Sequence, residues 1–254
     1  MRKRYPILEF DPTRQAIIEP SRLFRRMNVP EHCVVCFFKE VVDQIVADKH
    51  ATILKTIRWE DGPHALYQIR WRGKRLALFH PGVGASMSAG LLEDVIALGC
   101  RKFIACGGAG VLNREIAVGH IVVPTAAIRD EGVSYHYLPP SREVDANHHA
   151  VAAIKRTLRA HKVDYVVGKT WTTDAPYRET IGKVKLRRAE GCLTVEMEAA
   201  AFFAVAKFRR VVFGQMLYGG DDVSSAEWDS RRWTRHTSVR EKLFWLAAEA
   251  CLAL

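Results

Sequence analysis

The spacing of apolar and polar residues along the chain predicts alternating strands and helices. Continuous apolar runs, such as CVVCFF at 33–38 and HIVVPTAAIR at 120–129, are typical of buried strands. Segments 39–49 and 147–161 place apolar residues three and four apart, as amphipathic helices do. Segment 82–99 starts as a glycine loop and continues as a helix that ends at a glycine. Together these elements predict an α/β fold, a single three-layer domain with a mixed central β-sheet flanked by helices.

The same periodicity sets the expected domain organisation. Residues 1–30 lack it and are predicted to form an N-terminal arm, whereas residues 31–254 form the domain. Segments 65–71 and 75–81 alternate around the turn RGK and predict a hairpin. No run of about 18 apolar residues suggests a membrane span, and no apolar signal core follows the basic start. We therefore expect a cytoplasmic protein with no membrane partner.

The net charge of the chain changes the expected partners little. The chain of 254 residues carries a formal net charge of +10, which invites a nucleic-acid partner. Its basic residues, however, stand in short clusters and form no continuous stripe with interleaved aromatics. We expect no nucleic-acid partner, because attraction of a small anionic substrate or plain solvation explains the charge more simply. Cys33 and Cys36 lie in a predicted strand without a second Cys/His pair, so reduced core thiols and no metal site are expected.

Polar residues stand where predicted strands end. TVEMEAA at 194–200 places Glu196 and Glu198 at the start of an apolar helix, and LYGGDD ends another strand with Asp221 and Asp222. In open α/β sheets, ligands bind at the carboxyl ends of the strands. One glutamate is enough to cap a helix, so the pair predicts that at least one of them holds a ligand.

Four segments of the chain together resemble the nucleoside phosphorylase family. They are 80–112, 118–137, 167–180, and 194–208 with the strand end YGGDD. The resemblance is to the branch of uridine phosphorylases, hexameric purine nucleoside phosphorylases and methylthioadenosine nucleosidases. It implies cleavage of the N-glycosidic bond of a small-molecule nucleoside without a cofactor, with inorganic phosphate as co-substrate in a phosphorylase. It also implies a homo-oligomer, a dimer or a trimer of dimers.

The resemblance also implies roles for single residues. Glu198 matches the glutamate that grips the ribose hydroxyls, Met197 packs under the sugar, and Glu196 faces the site. Asp221 stands where purine-cleaving members have the aspartate that protonates the imidazole ring of the base. Uridine phosphorylases have arginine at that place, so a purine is expected. Arg235 matches an arginine that moves toward this aspartate, with an exposed helix residue as the alternative.

The base loop TTDAPYRET departs from the family pattern. Tyr177 and Arg178 are the candidates for facing the base. The aromatic residue that usually stacks on the base is replaced by Pro176. Trp171 either takes over that stacking or belongs to the core.

The phosphate site departs further. Phosphorylases of this branch carry a Gly-Asp-Pro-x-x-Arg-like loop after the first strand, where this chain reads CFFKEVVDQ. A strand arginine of the family is replaced by Ala105, and the Ser/Thr three residues later by Gly108. Phosphate needs paired donors and positive charge, so two alternatives stay open.

In the first alternative, phosphate is bound by backbone N–H groups of the glycine loops, by Ser86, and by Arg129 or a neighbouring subunit; these glycines are Gly82, Gly84, Gly107 and Gly108. Gly107 and Gly108 are also expected to contact the substrate. In the second, water attacks and Glu40 acts as general base, although a glutamate also suits the dipole at a helix start. Phosphorolysis of a purine nucleoside is the prediction. Hydrolysis and a catalytically inactive nucleoside-binding module are the alternatives.

Overall fold

A computed structural model describes residues 2–254 of the chain. The strands are β1 His32–Cys36, β2 Thr52–Trp59, β3 Gly62–Trp71, β4 Lys74–Phe79, β5 Lys102–Val111, β6 Ile121–Asp130, β7 Glu143–Asp145, β8 Tyr165–Thr173, β9 Cys192–Glu196 and β10 Val212–Asp222. The helices are α1 Pro20–Leu23, α2 Lys39–Asp48, α3 Ala85–Leu98, α4 Ser134–Tyr137, α5 His148–Ala160, α6 Ile181–Ala189, α7 Ala199–Arg209 and α8 Thr237–Leu252. The predicted α/β fold with a mixed sheet flanked by helices is confirmed.

The strands form one ten-stranded mixed sheet, part of which closes on itself. Strand β10 pairs in parallel with β5 and antiparallel with β6. Strands β6, β8 and β9 continue in order, and β9 returns to β5 by an antiparallel pairing. Strands β1, β4, β3 and β2 extend the sheet from the other side of β5. The ring brings the carboxyl ends of β5, β8, β9 and β10 around one space.

Two apolar clusters cover the two faces of the sheet. Strand β1 shows the division, because Cys33 and Val35 face the cluster of α3 and α7, whereas Val34 and Cys36 face the cluster of α2, α5 and α8. This alternation is the two-residue period of a strand buried on both faces. All six cysteines are buried and free, as expected for core thiols.

The hairpin predicted around RGK is formed by β3 and β4. The sequence did not predict β2, which pairs with β3. Its residues are mostly exposed, so β2 lacks the apolar run that marks the other strands. Within residues 2–254, no helix is both long and apolar enough to cross a membrane.

The first 30 residues carry only a 3-10 turn at Pro6–Leu8 and the short helix α1. They are attached to the domain by Met27 N–H, which donates to Leu98 O at 2.8 Å, and by Glu19, which pairs with Arg209 at 2.7 Å. Their description as a separate arm stays a prediction.

Candidate active site

A cavity of about 710 Å³ opens at the carboxyl ends of the ring strands. This volume suits a ligand of nucleoside size. Its lining residues are Phe37, Phe38, Val83, Gly108, Ala109, Gly110, Pro176, Tyr177, Glu179, Val195, Glu196, Met197, Glu198, Gln215, Asp221, Val223, Trp228, Trp233 and Arg240.

Glu196 caps helix α7. Its carboxylate accepts hydrogen bonds from the backbone N–H groups of Glu198 at 2.8 Å and Ala199 at 2.6 Å. Thr172 Oγ1 donates to the same carboxylate at 2.7 Å and accepts from Ala200 N–H at 2.9 Å. The first N–H groups of a helix need such acceptors, so Glu196 is held mainly by the helix that it caps.

Glu198 has a different set of partners. Its Oε1 accepts from Gly84 N–H at 2.6 Å, and Met197 N–H lies 3.3 Å from Oε2. Gly84 has a φ of +90°, a conformation that favours glycine, and it immediately precedes helix α3. Residues 199–206 behind Glu198 are all buried. Glu198 therefore projects into the cavity from a packed helix, steadied by one glycine loop.

The two glutamates have raised pKa values. Burial raises the pKa of Glu196 to about 7, against the hydrogen bonds from Thr172 and from the start of α7. Burial, and then the charge of Glu196, raise the pKa of Glu198 to about 8. Glu198 has fewer donors to stabilise its charge, so it is the better proton holder of the pair.

Asp221 and Asp222 end β10 but face different surroundings. Asp221 lines the cavity, and Trp228 Nε1 donates to its Oδ2 at 2.7 Å. Asp222 instead pairs with Arg231 at 2.6 Å and accepts from Ser224 N–H at 2.8 Å. Although burial opposes it, these partners lower the pKa of Asp222. Asp221 is thus the aspartate available to a ligand, and Asp222 holds the following loop.

Glu179 is a cavity residue that the sequence reasoning missed. It follows the 3-10 turn Pro176–Arg178 in the loop between β8 and α6, and it is half-buried. Burial raises the pKa of Glu179 to about 7, and the negative charge of Asp221 adds to the rise. Its position in TTDAPYRET was a usable signal, since Tyr177 in the same segment was singled out from the family resemblance.

The cation that lines the cavity is Arg240, in the second turn of α8. Its Nη1 donates to the Glu40 carboxylate, and its guanidinium carbon lies 4.5 Å from the Phe38 ring centre and 5.3 Å from that of Trp233. The sequence pointed to Arg235, which stands in a 3-10 turn before α8 and outside the lining set. Arg235 and Arg240 are more than a helical turn apart, so they do not share a direction.

Gln215 also lines the cavity. It is 1% exposed, and it pairs in register with Ala105, the position where the family resemblance leads one to expect arginine. Within residues 2–254, Gln215 Oε1 and Arg240 Nε are buried without a hydrogen-bond partner. At ~3.3 Å per residue, Gln215 and Asp221 are roughly 20 Å apart along β10. Gln215 is a polar residue within an apolar strand, and this sequence signal could have identified it as a candidate site residue.

Arg129, expected as a phosphate ligand, is occupied elsewhere. Its guanidinium donates to Ser134 Oγ at 2.8 Å, to Pro139 O and Ser141 Oγ at 2.7 Å each, and to Leu138 O at 3.2 Å. It is buried and lies outside the lining set. Arg129 therefore orders residues 134–141, with four of its five guanidinium N–H groups bonded there, and its predicted phosphate role stays a prediction.

The glycine loops offer fewer free donors than expected. Gly84 N–H is bonded to Glu198, and Gly82 N–H donates to His80 Nδ1 at 3.1 Å. Ser86 is exposed in the first turn of α3, outside the lining set. Gly107 packs so closely that a Cβ there would stand 2.8 Å from the Phe37 ring, whereas Gly108 lines the cavity.

The candidate residues of the base loop TTDAPYRET lie at the rim of the cavity. Tyr177 lines the cavity and is 98% exposed, and Arg178 is exposed outside the lining set. Trp171 is fully buried and donates from Nε1 to Asp130 at 3.0 Å, so it belongs to the core. Besides Glu196 and Glu198, the cavity thus carries two sets of charged groups: Asp221 and Glu179, called here the acidic end, and Arg240 with its partner Glu40, called here the Arg240 end.

Comparisons with known proteins agree with this architecture. The family described as Phosphorylase superfamily matches residues 31–243. Guanosine phosphorylase of Halorubrum lacusprofundi is 29% identical over 135 residues, which cover 53% of this chain and 56% of that protein. Uridine phosphorylase of Haemophilus influenzae is 25% identical over 147 residues, 52% of this chain and 58% of that one. The aligned regions therefore span little more than half the length of these relatives.

The fold has solved counterparts. The crystal structure of AMP nucleosidase from Bacteroides thetaiotaomicron superposes with a TM-score of 0.73 at 19% identity, covering 91% of each chain. At this identity the likeness concerns the fold alone. The family match spans most of the chain and agrees with the fold, so the protein belongs to the phosphorylase superfamily, as its four sequence segments predicted.

Proposed function

We propose that the protein cleaves the N-glycosidic bond of a purine nucleoside. The observation that carries the proposal is the placement of Glu198, Met197 and Asp221 in one cavity. Breaking such a bond builds positive charge on the sugar, as in glycoside hydrolysis. A carboxylate at the ribose hydroxyls and an acid at the base are the two groups that this reaction needs.

Asp221 supports a purine rather than a pyrimidine. A purine has an imidazole nitrogen that can take a proton as the bond breaks, and a carboxylic acid suits this proton transfer. Trp228 fixes the Asp221 carboxylate from one side, which leaves its second oxygen for the base. The relatives include a guanosine phosphorylase as well as uridine phosphorylases, so their names alone do not choose the base.

Water is proposed as the acceptor, in place of the phosphate expected from the sequence. Among the lining residues within 2–254, Arg240 is the only cation, and Glu40 neutralises it. A phosphate dianion would meet no uncompensated positive charge there, whereas phosphate binding needs paired, charged donors. Gln215 Oε1 and Arg240 Nε are an unused acceptor and an unused donor.

In this arrangement Glu40 has an indirect role. It stands in the first turn of α2, outside the lining set, and its contact with the cavity runs through Arg240. We propose that Glu40 positions the guanidinium, while water reaches a sugar that already carries much positive charge. Such a sugar requires little activation of its nucleophile.

The test incubates the purified protein with inosine, guanosine, adenosine, methylthioadenosine and uridine, each with and without phosphate. Release of a purine base and free ribose at equal rates in both conditions is expected. Ribose 1-phosphate and strict phosphate dependence would establish phosphorolysis instead. Cleavage of uridine alone would overturn the purine assignment. Thermal stabilisation by nucleosides without any turnover would leave a binding module.

A further inference from the structure

We infer that His80 positions Glu198 by holding the glycine loop whose backbone donates a hydrogen bond to the Glu198 carboxylate. This loop, residues 80–84, joins β4 to α3. The inference rests on the proposed function, because it concerns how the carboxylate expected at the ribose hydroxyls is held. His80 lies outside the lining set of the cavity, so it is a positioning residue that acts through the loop.

The conformation of the loop depends on contacts, because two of its residues are glycines with positive φ. Gly82 has a φ of +74° and Gly84 a φ of +90°, and glycine has more backbone conformations to lose than any other residue. Both backbone polar groups of Gly82 have a partner. Its N–H donates to His80 Nδ1 at 3.1 Å, and Ser88 Oγ of α3 donates to its carbonyl at 3.4 Å. His80 therefore supplies one of the two contacts that fix Gly82.

The same loop holds the Glu198 carboxylate. Two residues after Gly82, the N–H of Gly84 donates to Glu198 Oε1 at 2.6 Å. The other contact of this carboxylate, Met197 N–H at 3.3 Å, comes from the adjacent residue. The Gly84 bond thus ties Glu198 to another element of the fold. Because this path is short, a displacement of Gly82 would also move the donor of Glu198.

His80 is in the protonation state that this contact requires. An imidazole nitrogen accepts a hydrogen bond only while it carries no proton. Burial lowers the pKa of His80 against the effect of the Phe37 carbonyl, and the charges of Lys39 and His64 lower it further, with Asp43 opposing them. The ring is therefore neutral at pH 7. An acceptor that bonds the N–H two residues later is the arrangement that asparagine and aspartate form in an Asx turn.

Loss of the His80 contact should change the ionisation of Glu198. Burial and then the charge of Glu196 raise the pKa of Glu198 to about 8, Asp174 adds to the rise, and the hydrogen bond from Gly84 opposes it. A carboxylate that loses a donor is harder to ionise, so its pKa should rise further. Its hold on the ribose hydroxyls should also weaken, because catalysis depends on precise positioning of such groups.

The experiment compares His80→Asn with His80→Gln. Asparagine places its side-chain oxygen close to the position of Nδ1 and can accept from Gly82 N–H, as in an Asx turn. Glutamine carries its amide farther out, near the position of Nε2, and loses this contact. The control is His32→Gln, which replaces a half-buried histidine at the amino end of β1.

Two quantities are measured in each protein. The first is the pKa of Glu198, taken from the pH dependence of the stability that Glu198→Gln adds in the same background. The second is the ratio of kcat/KM for inosine to that for 2′-deoxyinosine, which reports the contact of Glu198 with the ribose hydroxyls.

In the wild type, His80→Asn and His32→Gln, the stability added by Glu198→Gln should level off at about pH 8. In His80→Gln it should level off about one pH unit higher, as expected for a weakened hydrogen bond to a charged group. The inosine-to-deoxyinosine ratio should fall about fivefold or more in His80→Gln alone. Equal values of both quantities in His80→Asn and His80→Gln would overturn the inference and leave the proposed function intact.

If the wild type cleaves no nucleoside, the proposed function has failed, and the pKa of Glu198 still decides the inference. A rise of this pKa in His80→Gln that is absent in His80→Asn would support the positioning role of His80. The same pKa in both variants would overturn it.

Discussion

The acidic end and the Arg240 end of the cavity use charge in opposite ways. At the acidic end, Asp221 and Glu179 are carboxyls without a cationic partner, and an indole N–H is the one donor on Asp221. At the other end, Arg240 is paired with Glu40 and lies against the rings of Phe38 and Trp233. The acidic end therefore offers charge to a ligand, whereas at the Arg240 end the charge of the guanidinium is neutralised by Glu40.

This difference shows where the chain keeps the chemistry of its family and where it departs from it. The residues proposed to bind ribose and base stand at strand ends, where the ring of strands fixes their position. The Arg240 end is built from α2 and α8, which can exchange side chains without disturbing Glu198 or Asp221. The Arg240 guanidinium is paired there with Glu40, so it gives little attraction to an added anion. The proposed use of water as acceptor therefore depends on the Arg240 end.

The largest effect is expected at the acidic end. Asp221→Asn removes the proton donor to the base, and kcat/KM for purine nucleosides should fall by about 10²–10⁴, the usual contribution of general acid catalysis. The control is Asp222→Asn, which loses the Arg231 ion pair and should lower thermal stability more than kcat/KM. Equal losses of kcat/KM in both variants would remove the distinction between the two aspartates.

The second prediction concerns the free energy of unfolding that is lost by keeping Glu198 in the cavity. In the folded protein its pKa is about 8, against about 4.5 for a free glutamate, so the folded state keeps a proton that the unfolded state loses. The free energy of unfolding therefore falls as pH rises from about 4.5 to 8. Glu198→Gln should be more stable than the wild type at alkaline pH, by on the order of 5 kcal/mol at most from the size of the shift.

The measurement is urea or thermal unfolding of both proteins across this pH range. The difference should shrink as the pH falls below about 4.5, where both states of the wild type are largely protonated at Glu198. Activity should be lost at every pH, since glutamine cannot replace the carboxylate at the ribose hydroxyls. A stability difference that does not depend on pH would contradict the raised pKa. Glu60→Gln is the control for a surface carboxyl.

The sequence predicted the fold and the strand ends better than it predicted side-chain roles. Apolar runs and helical spacing depend on local neighbours, so they indicated the hairpin of β3 and β4 and the helices α3 and α5. The second pairing of β10 with β6 joins distant parts of the chain and left no local pattern. Hydrophobic periodicity therefore could not predict that the strands close into a ring.

Within the site, the sequence indicated the segment TVEMEAA but not the different roles of its two glutamates. Glu196 caps α7 and Glu198 faces the cavity because residues two apart diverge where the strand turns into the helix. Arg240 was not singled out, since the phase of α8 relative to the cavity depends on tertiary packing, and the movement of Arg235 toward Asp221 stays a prediction. Glu179 was missed because its burial arises only when its loop folds over the strand ends.

A third test examines the neutralised charge at the Arg240 end. Glu40→Gln frees the guanidinium, so phosphate should bind at least tenfold more tightly than to the wild type, as expected for a released charged donor. Binding is measured by calorimetry and by the dependence of turnover on phosphate at constant ionic strength. Asp43→Asn, on the same helix but paired with Lys39 at the surface, is the control. Strong phosphate dependence of the wild type itself would refute the contrast between the ends.

The smallest effect concerns how Asp221 is held. Trp228→Phe keeps an aromatic ring but removes the N–H that donates to Asp221 at 2.7 Å. Loss of one partly exposed hydrogen bond to a charged group should lower kcat/KM about fivefold, corresponding to roughly 1 kcal/mol. The control is Trp59→Phe, which loses an equivalent indole bond to Asp94 at 3.0 Å on the other side of the molecule.

If Trp228 acts by positioning Asp221, its substitution should have almost no further effect in Asp221→Asn, because the two residues then couple in a double-mutant cycle. Additive losses would mean that Trp228 contacts the substrate independently.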